Sequence, residues 1–202
     1  MIRCSELELI EDFYNAEECK PLLRYFLEQH VWPDNQYEYG GRRFELPRLQ
    51  TWHADAGIRY SYSNNLLVTR PWTQVLLGIR ADVESKLKQA FNSVLVNCYR
   101  NGEDHVGWHA DDEPELGDSP CIASLSLGAC RAFSYRHKRT LNTDHVLLEA
   151  GSLLVMYPGF QRHWQHSVPK DGRIIAPRIN LTFRKVIEPG NPAKSTNLEG
   201  LA

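Results

Sequence analysis

Apolar positions recur at helical spacing in two places. Leu22, Leu23, Phe26 and Leu27 follow Asn15-Ala16-Glu17-Glu18, a capping side chain with a glutamate three positions on, and predict an amphipathic helix over roughly 16–30. Val75, Ile79, Val83, Leu87 and Phe91 repeat every four residues and predict a second helix over about 72–91, with a charged opposite face. Between them, 36–65 is rich in Tyr, Arg, Gly and Asn without a steady period, which reads as a functional loop or hairpin. From Ser93 the pattern changes to short β-rich runs: Val94 to Tyr99, Ile122 to Leu127, Ala132 to Tyr135, His145 to Leu148, Leu153 to Tyr157 and Ile179 to Lys185. Helices first and strands afterwards predict an α+β chain built on a sandwich or barrel. The segment 187–202 is rich in Pro, Gly, Asn and Ser and is expected to be a loose tail; there is no internal repeat.

Composition narrows the picture. With 202 residues, 42% hydrophobic and 24% charged, the chain can bury one core, so a single domain over 1–186 is expected, with a lid at about 36–70 and a core at about 93–186. A net charge of −2 argues against coating nucleic acid by bulk electrostatics, so any such contact must be a local patch. No run approaches the roughly 20 apolar residues that span a bilayer, and the start lacks the apolar core of a secretory signal; an intracellular, membrane-free monomer is the expectation, cytoplasmic if bacterial and nuclear if eukaryotic. Cys4, Cys19, Cys98, Cys121 and Cys130 show no paired spacing and read as reduced thiols, mostly buried in strands.

Three segments could carry chemistry. In Gly107-Trp108-His109-Ala110-Asp111-Asp112-Glu113, His109 and Asp111 stand two apart and share one side of an extended backbone. A second histidine, His163 or His166, would complete a two-histidine, one-carboxylate face for iron(II). In Arg178-Ile179-Asn180-Leu181-Thr182-Phe183-Arg184, the polar residues share one face; pointing inward, Arg178 and Arg184 would suit a dicarboxylate, whereas pointing outward they would make an ordinary solvated strand face. Asn97 and Tyr99 share a face of a third strand and could hold the same small acid.

Jointly these segments resemble the AlkB family of iron(II)/2-oxoglutarate dioxygenases, from about Pro47 to Lys185. The run Asn97-x-Tyr99-x-x-Gly102-x-Asp104-x-x-Gly107-x-His109-x-Asp111 is similar to the family motif position by position, as are Ala123-Ser124-Leu125-Ser126-Leu127-Gly128-Ala129, Arg136-His137-Lys138 and Arg178-x-Asn180-x-x-x-Arg184. The resemblance implies a double-stranded β-helix, a jelly-roll, cupin-like core with N-terminal helices and a nucleotide-recognition lid. It also implies iron held by His109, Asp111 and His166, since His166 fits the family's W-x-H-x-V pattern. By position, Arg178 and Arg184 would pair with the carboxylates of 2-oxoglutarate, Asn97 and Tyr99 would add hydrogen bonds, and Asn180 would support the arginines. Dioxygen would complete the set of co-substrates.

The same likeness extends to the substrate. Pro47-Arg48-x-Gln50 with Tyr60-Ser61-Tyr62-Ser63 resembles the lid of the DNA-repair members, which implies Tyr62 stacking on a flipped base and Tyr60 and Arg48 lining its pocket. Asp112 and Glu113 would suit a cationic base such as 1-methyladenine or 3-methylcytosine. Arg131, Arg136, His137, Lys138 and Arg139 form a basic cluster that would grip phosphates. Tyr39-Gly40-Gly41 stands where some duplex-acting members carry an aromatic wedge, although Trp52, Tyr37 and Tyr39 could equally be lid packing. The expectation is therefore oxidative removal of N-alkyl groups from DNA, with an RNA or tRNA demethylase or a small-molecule dioxygenase as alternatives. A non-catalytic β-sandwich module is disfavoured by the intact set of His109, Asp111, His166, Arg178 and Arg184.

Overall fold

The computed structural model describes residues 4–33, 36–39, 41–58, 61–62, 65–66 and 68–187. Its strands in chain order are β1 (Leu7–Ile10), β2 (Gln36–Tyr39), β3 (Arg42–Glu45), β4 (Leu49–Ala54), β5 (Ser61–Tyr62), β6 (Asn65–Leu66), β7 (Thr69–Arg70), β8 (Ser93–Tyr99), β9 (Val106–His109), β10 (Ile122–Gly128), β11 (Arg131–His137), β12 (Thr143–Leu148), β13 (Leu153–Met156), β14 (Trp164–Val168) and β15 (Arg178–Arg184). Its helices are α1 (Ala16–Glu28), α2 (Gln74–Leu87) and the four-residue α3 (Phe160–His163).

A major sheet of order β1-β13-β10-β15-β8-β4-β7 faces a minor sheet of order β12-β11-β14-β9, and two small hairpins, β2-β3 and β5-β6, lie in the 36–70 segment. All pairs are antiparallel except β4 with β7. This is the expected jelly-roll. Alternation along β10 and β15 explains how it closes. Ala123, Leu125, Leu127, Ile179, Leu181 and Phe183 face one way, into a core completed by Cys19 and Phe26 of α1 and Leu76, Ile79 and Val83 of α2. Ile122 and Leu154 face the other way and pack with Phe133, Tyr135 and Leu148 of the minor sheet and with Phe160. Every residue of β15 is buried, so its polar face points between the sheets and not into solvent.

The helices are shorter than their apolar pattern. Asn15 forms the expected capping box with Glu18, but α1 stops at Glu28. In α2, Thr73 accepts the Leu76 N–H at the start, and Lys88 ends the helix in the left-handed region at φ 53°, so Trp72 and Phe91 pack from outside it. The order of elements also differs from expectation: β1 precedes α1 and pairs with β13, and β4 emerges from the aromatic 36–65 segment to pair with β8. Strand β4 escapes pattern reading because Thr51 to Ala54 are all buried, which erases the period-two signal. Only one of the five free thiols, Cys98, lies in a strand; Cys4 and Cys19 are buried in a loop and in α1, Cys121 just precedes β10, and Cys130 is exposed in a turn. The expected tail from 188 onward lies outside the described residues. Among the described residues, no helix is long and apolar enough to cross a membrane.

Candidate metal and dicarboxylate site

Strands β9 and β14 run antiparallel with His109 opposite His166, so the pairing itself sets the two imidazoles side by side, ring centroids 4.2 Å apart. Asp111 follows two residues after His109, and candidate ligand atoms of His109, Asp111 and His166 all lie within 4.8 Å of one another. His163, the other candidate, belongs to α3, and its ring stacks against His137 away from this cluster.

His109 Nδ1–H donates to the Gly107 carbonyl at 2.8 Å, which turns Nε2 toward Asp111 Oδ1 at 3.9 Å. Asp111 Oδ2 accepts from Arg184 Nη2 at 2.8 Å in an ion pair that is almost wholly buried. Burial alone would raise the Asp111 carboxyl, but Arg184, with His166 and His109, outweighs it and holds the group down to about 2. Burial, reinforced by His109, pushes the His166 imidazolium down to about 3, and its ring stacks on Phe133. At neutral pH the site therefore presents a carboxylate and a neutral imidazole, the protonation states a cation requires. Asp111 Oδ1 is buried with no hydrogen-bond partner, which is the signature of an acceptor that awaits a cation. The donor set, two imidazoles and one carboxylate on one face, fits iron(II).

The adjoining cavity holds about 460 Å³ of empty space including its mouth, and its walls include Asn97, Tyr99, Arg178, Asn180 and Arg184 beside the three candidate ligands. Register builds it: Arg178 lies opposite Tyr99 and Asn180 opposite Asn97 on β8, while Ser126 of β10 faces Asn180. Arg178 donates to Ser126 Oγ at 2.9 Å and sits over the Tyr99 ring. Its Nε and Nη1 are buried without a partner, and burial pushes the guanidinium down to about 10. A buried cation with one open fork edge fits a carboxylate end of 2-oxoglutarate.

Several expected roles are redistributed. Arg184 already grips Asp111, so its first partner is the metal face. Asn180 donates to Ser124 Oγ and the Leu125 carbonyl and accepts from Thr182, bracing β15 against β10. Arg48 does line the cavity, but it is buried and fastened to Asn97 Oδ1 at 3.0 Å and to the His105 carbonyl. Arg131 leaves the basic surface altogether: it is 1% exposed and donates to the carbonyls of Asn101, Asp104 and Pro169. Burial costs a guanidinium less when carbonyls surround it, which is why this arginine serves as a brace.

Arg136 lies over the Trp108 ring and bonds Gln165, the His137 ring accepts the Arg139 and Thr140 N–H groups, and Lys138 pairs with the exposed Asp112 at 3.0 Å. Asp112 is thus already balanced by a lysine. Glu113 opens a 3-10 turn over Pro114–Leu116. Tyr60 and Gly40 lie outside the described residues, as do the side chains of Tyr37, Tyr39 and Tyr62. Trp52 is 2% exposed and packs with Ala54, Leu95, Leu116 and Val186.

The pattern of the motif is partly structural. A Cβ on Gly102 would lie 1.7 Å from the Asp171 carbonyl oxygen, and Asp104 clamps Arg100 through its backbone N–H, Nε and Nη2. One residue that sequence reading missed, Gln161, reaches the Asp111 backbone from α3 and sits in no periodic or motif context that would flag it.

A jelly-roll whose facing sheets enclose a two-histidine, one-carboxylate face beside a buried arginine defines a mononuclear metal, 2-oxo-acid oxygenase type of site. The model of the 2OG-Fe(II) oxygenase superfamily matches residues 6–184, and the chain belongs to its AlkB family. It is 45% identical over 155 residues to the protein named DNA oxidative demethylase ALKBH2 of Mus musculus, covering 73% of this chain and 65% of that one. It is 36% identical over 192 residues to alpha-ketoglutarate-dependent dioxygenase alkB homolog 3 of Homo sapiens, covering 90% and 66%. The solved structure of OsALKBH1 superposes with a TM-score of 0.63 at 18% identity over 89% of this chain and 96% of that one, and shows the shared fold. The chain spans 56 to 65% of the length of the ALKBH2 relatives from mouse, cow and human.

Proposed function

We propose that this chain is an oxidative demethylase that removes N-methyl groups from bases in DNA, with 1-methyladenine and 3-methylcytosine as substrates. The observation that carries the reading is the pairing, in one cavity, of the His109, Asp111, His166 face with the open edge of Arg178. DNA as the substrate rests on the ALKBH2 relatives, which are named DNA oxidative demethylases.

Iron(II), with 2-oxoglutarate and dioxygen, supplies the oxidant that hydroxylates a methyl carbon when these are bound. The protein's own residues set the stage. His109, Asp111 and His166 would hold the metal, with Asp111 ionised and His166 neutral at neutral pH. Arg178 anchors the distal carboxylate, with the Tyr99 face beneath it and Ser126 fixing its rotation. Phe133, Met156 and Val168 line the cavity and restrict water. Arg136, His137 and Lys138 lie along the backbone path, the last two bordering one groove. Hydroxylation of N–CH3 gives N–CH2OH, with succinate and carbon dioxide as co-products; the adduct releases formaldehyde and leaves the base N–H.

The test is anaerobic loading with iron(II) and 2-oxoglutarate, then aerobic incubation with an oligonucleotide carrying one 1-methyladenine, read by mass spectrometry. Loss of one CH2 dependent on both additions is the expected result. Succinate formed without repair of DNA, but with repair of a methylated RNA of equal sequence, would move the substrate to RNA.

A further inference from the structure

Gln161 is 2% exposed at the second position of α3. Its Oε1 accepts the Asp111 backbone N–H at 2.9 Å, and its Nε2 points at Met156 Sδ at 3.3 Å. Chemistry forces that orientation of the amide: a backbone N–H needs an acceptor, so the oxygen must face Asp111 and the NH2 is left for the soft sulfur. Asp111 lies beyond the end of β9, where no ladder neighbour takes its N–H. Helix α3 then runs directly into β14, which carries His166. A single side chain therefore ties the main chain of one candidate ligand to the segment that delivers another.

We infer that Gln161 is a positioning residue for the metal face, an assignment that rests on reading the three residues as the iron site. Two restraints set the rotation of the Asp111 carboxylate. Arg184 holds Oδ2 at 2.8 Å from one side, and Gln161 holds the backbone from the other, which leaves Oδ1 directed at His109. Without the Gln161 acceptor, the carboxylate stays tethered to Arg184 alone, and the ion pair is free to draw it away from the imidazoles. Outer partners of this kind govern metal affinity by about 10- to 100-fold.

The experiment is a titration of the whole chain with Mn(II), redox-silent and read by the electron paramagnetic resonance signal of the free ion, well below each variant's unfolding temperature. Gln161→Leu and Gln161→Met both lack the acceptor; the unbranched methionine is the more adaptable of the two and keeps the test open if leucine does not fold. Both are expected to weaken Mn(II) binding about 10-fold or more. Gln161→Glu keeps an acceptor of the same length and is expected to stay within about threefold of wild type. A purely structural role would lower the unfolding midpoint of all three while leaving Mn(II) affinity in the folded protein unchanged, and that result overturns the inference, as does equal loss in the glutamate variant. Wild-type protein that binds no Mn(II) would instead overturn the metal centre itself.

Discussion

Replacing Arg178 by methionine should make the metal-free protein more stable and unable to use its co-substrate. The guanidinium is fully buried, donates to Ser126 and leaves two nitrogens without partners. Burial holds it at about 10, well below the ordinary guanidinium range of the unfolded chain, which corresponds to a destabilisation of about 3 kcal/mol at neutral pH. The sign follows from a cation whose folded pKa is depressed: the cost is fully present below about pH 10 and fades as the pH rises above it. Methionine fills similar space without charge and loses the Ser126 hydrogen bond, which is worth about 1 kcal/mol. The net gain of about 2 kcal/mol raises the unfolding midpoint of a domain of this size by about 4–8 °C. Against that, two charge-assisted hydrogen bonds to a carboxylate disappear, about 3–6 kcal/mol together, or roughly 10²- to 10⁴-fold in 2-oxoglutarate affinity. Thermal unfolding under anaerobic conditions, with Mn(II) present and with or without 2-oxoglutarate, reads both effects in one series. A variant that unfolds earlier than wild type, yet still gains stability on adding 2-oxoglutarate, would refute the reasoning on both counts.

Other residues give independent tests. His30, bonded to Thr51 and packed near His53 and Arg70, is pushed by burial to about 4, so the unfolded chain takes up a proton as pH falls from about 6.5 and stability drops; His30→Gln should remove about 2 kcal/mol of that loss at pH 5, measured by urea unfolding at pH 7 and 5. Gly102→Ala would drive a methyl into the Asp171 carbonyl and should cost more than about 3 kcal/mol, seen as a large fall in the unfolding midpoint; an unchanged midpoint would show that this loop yields freely. Lys138→Ala should weaken oligonucleotide binding and reduce its salt slope by about one, leaving Mn(II) affinity intact, because its partner Asp112 is not among the three ligands.

The strand β15 was legible because its alternation is strict, and the structure places its arginines between the sheets. His109 and Asp111 were legible through their spacing, whereas the choice between His163 and His166 depended on family likeness, since both lie in one aromatic run and only strand register separates them. Strands β4 and β14 were not read, the first because Thr51 to Ala54 are all buried and the second because the aromatic run from His163 to His166 reads equally well as a structural cluster. Arg131 was read as part of a surface patch because the basic run from Arg136 to Arg139 lies five residues on; nothing in a linear pattern reveals three carbonyls brought together from Asn101, Asp104 and Pro169. Gln161 is of the same kind, a residue whose role exists only after folding.

The Arg184–Asp111 ion pair joins β15 of one sheet to the end of β9 in the other, so the chemistry sits on the seam of the sandwich. Neither sheet can drift without pulling on that bond. The strands of the 36–70 segment, by contrast, form separate hairpins or lie at the β7 end of the major sheet. Under the proposed function, substrate recognition would therefore rest on strands at the margin of the molecule, and the oxidising site on the seam that holds its two sheets together.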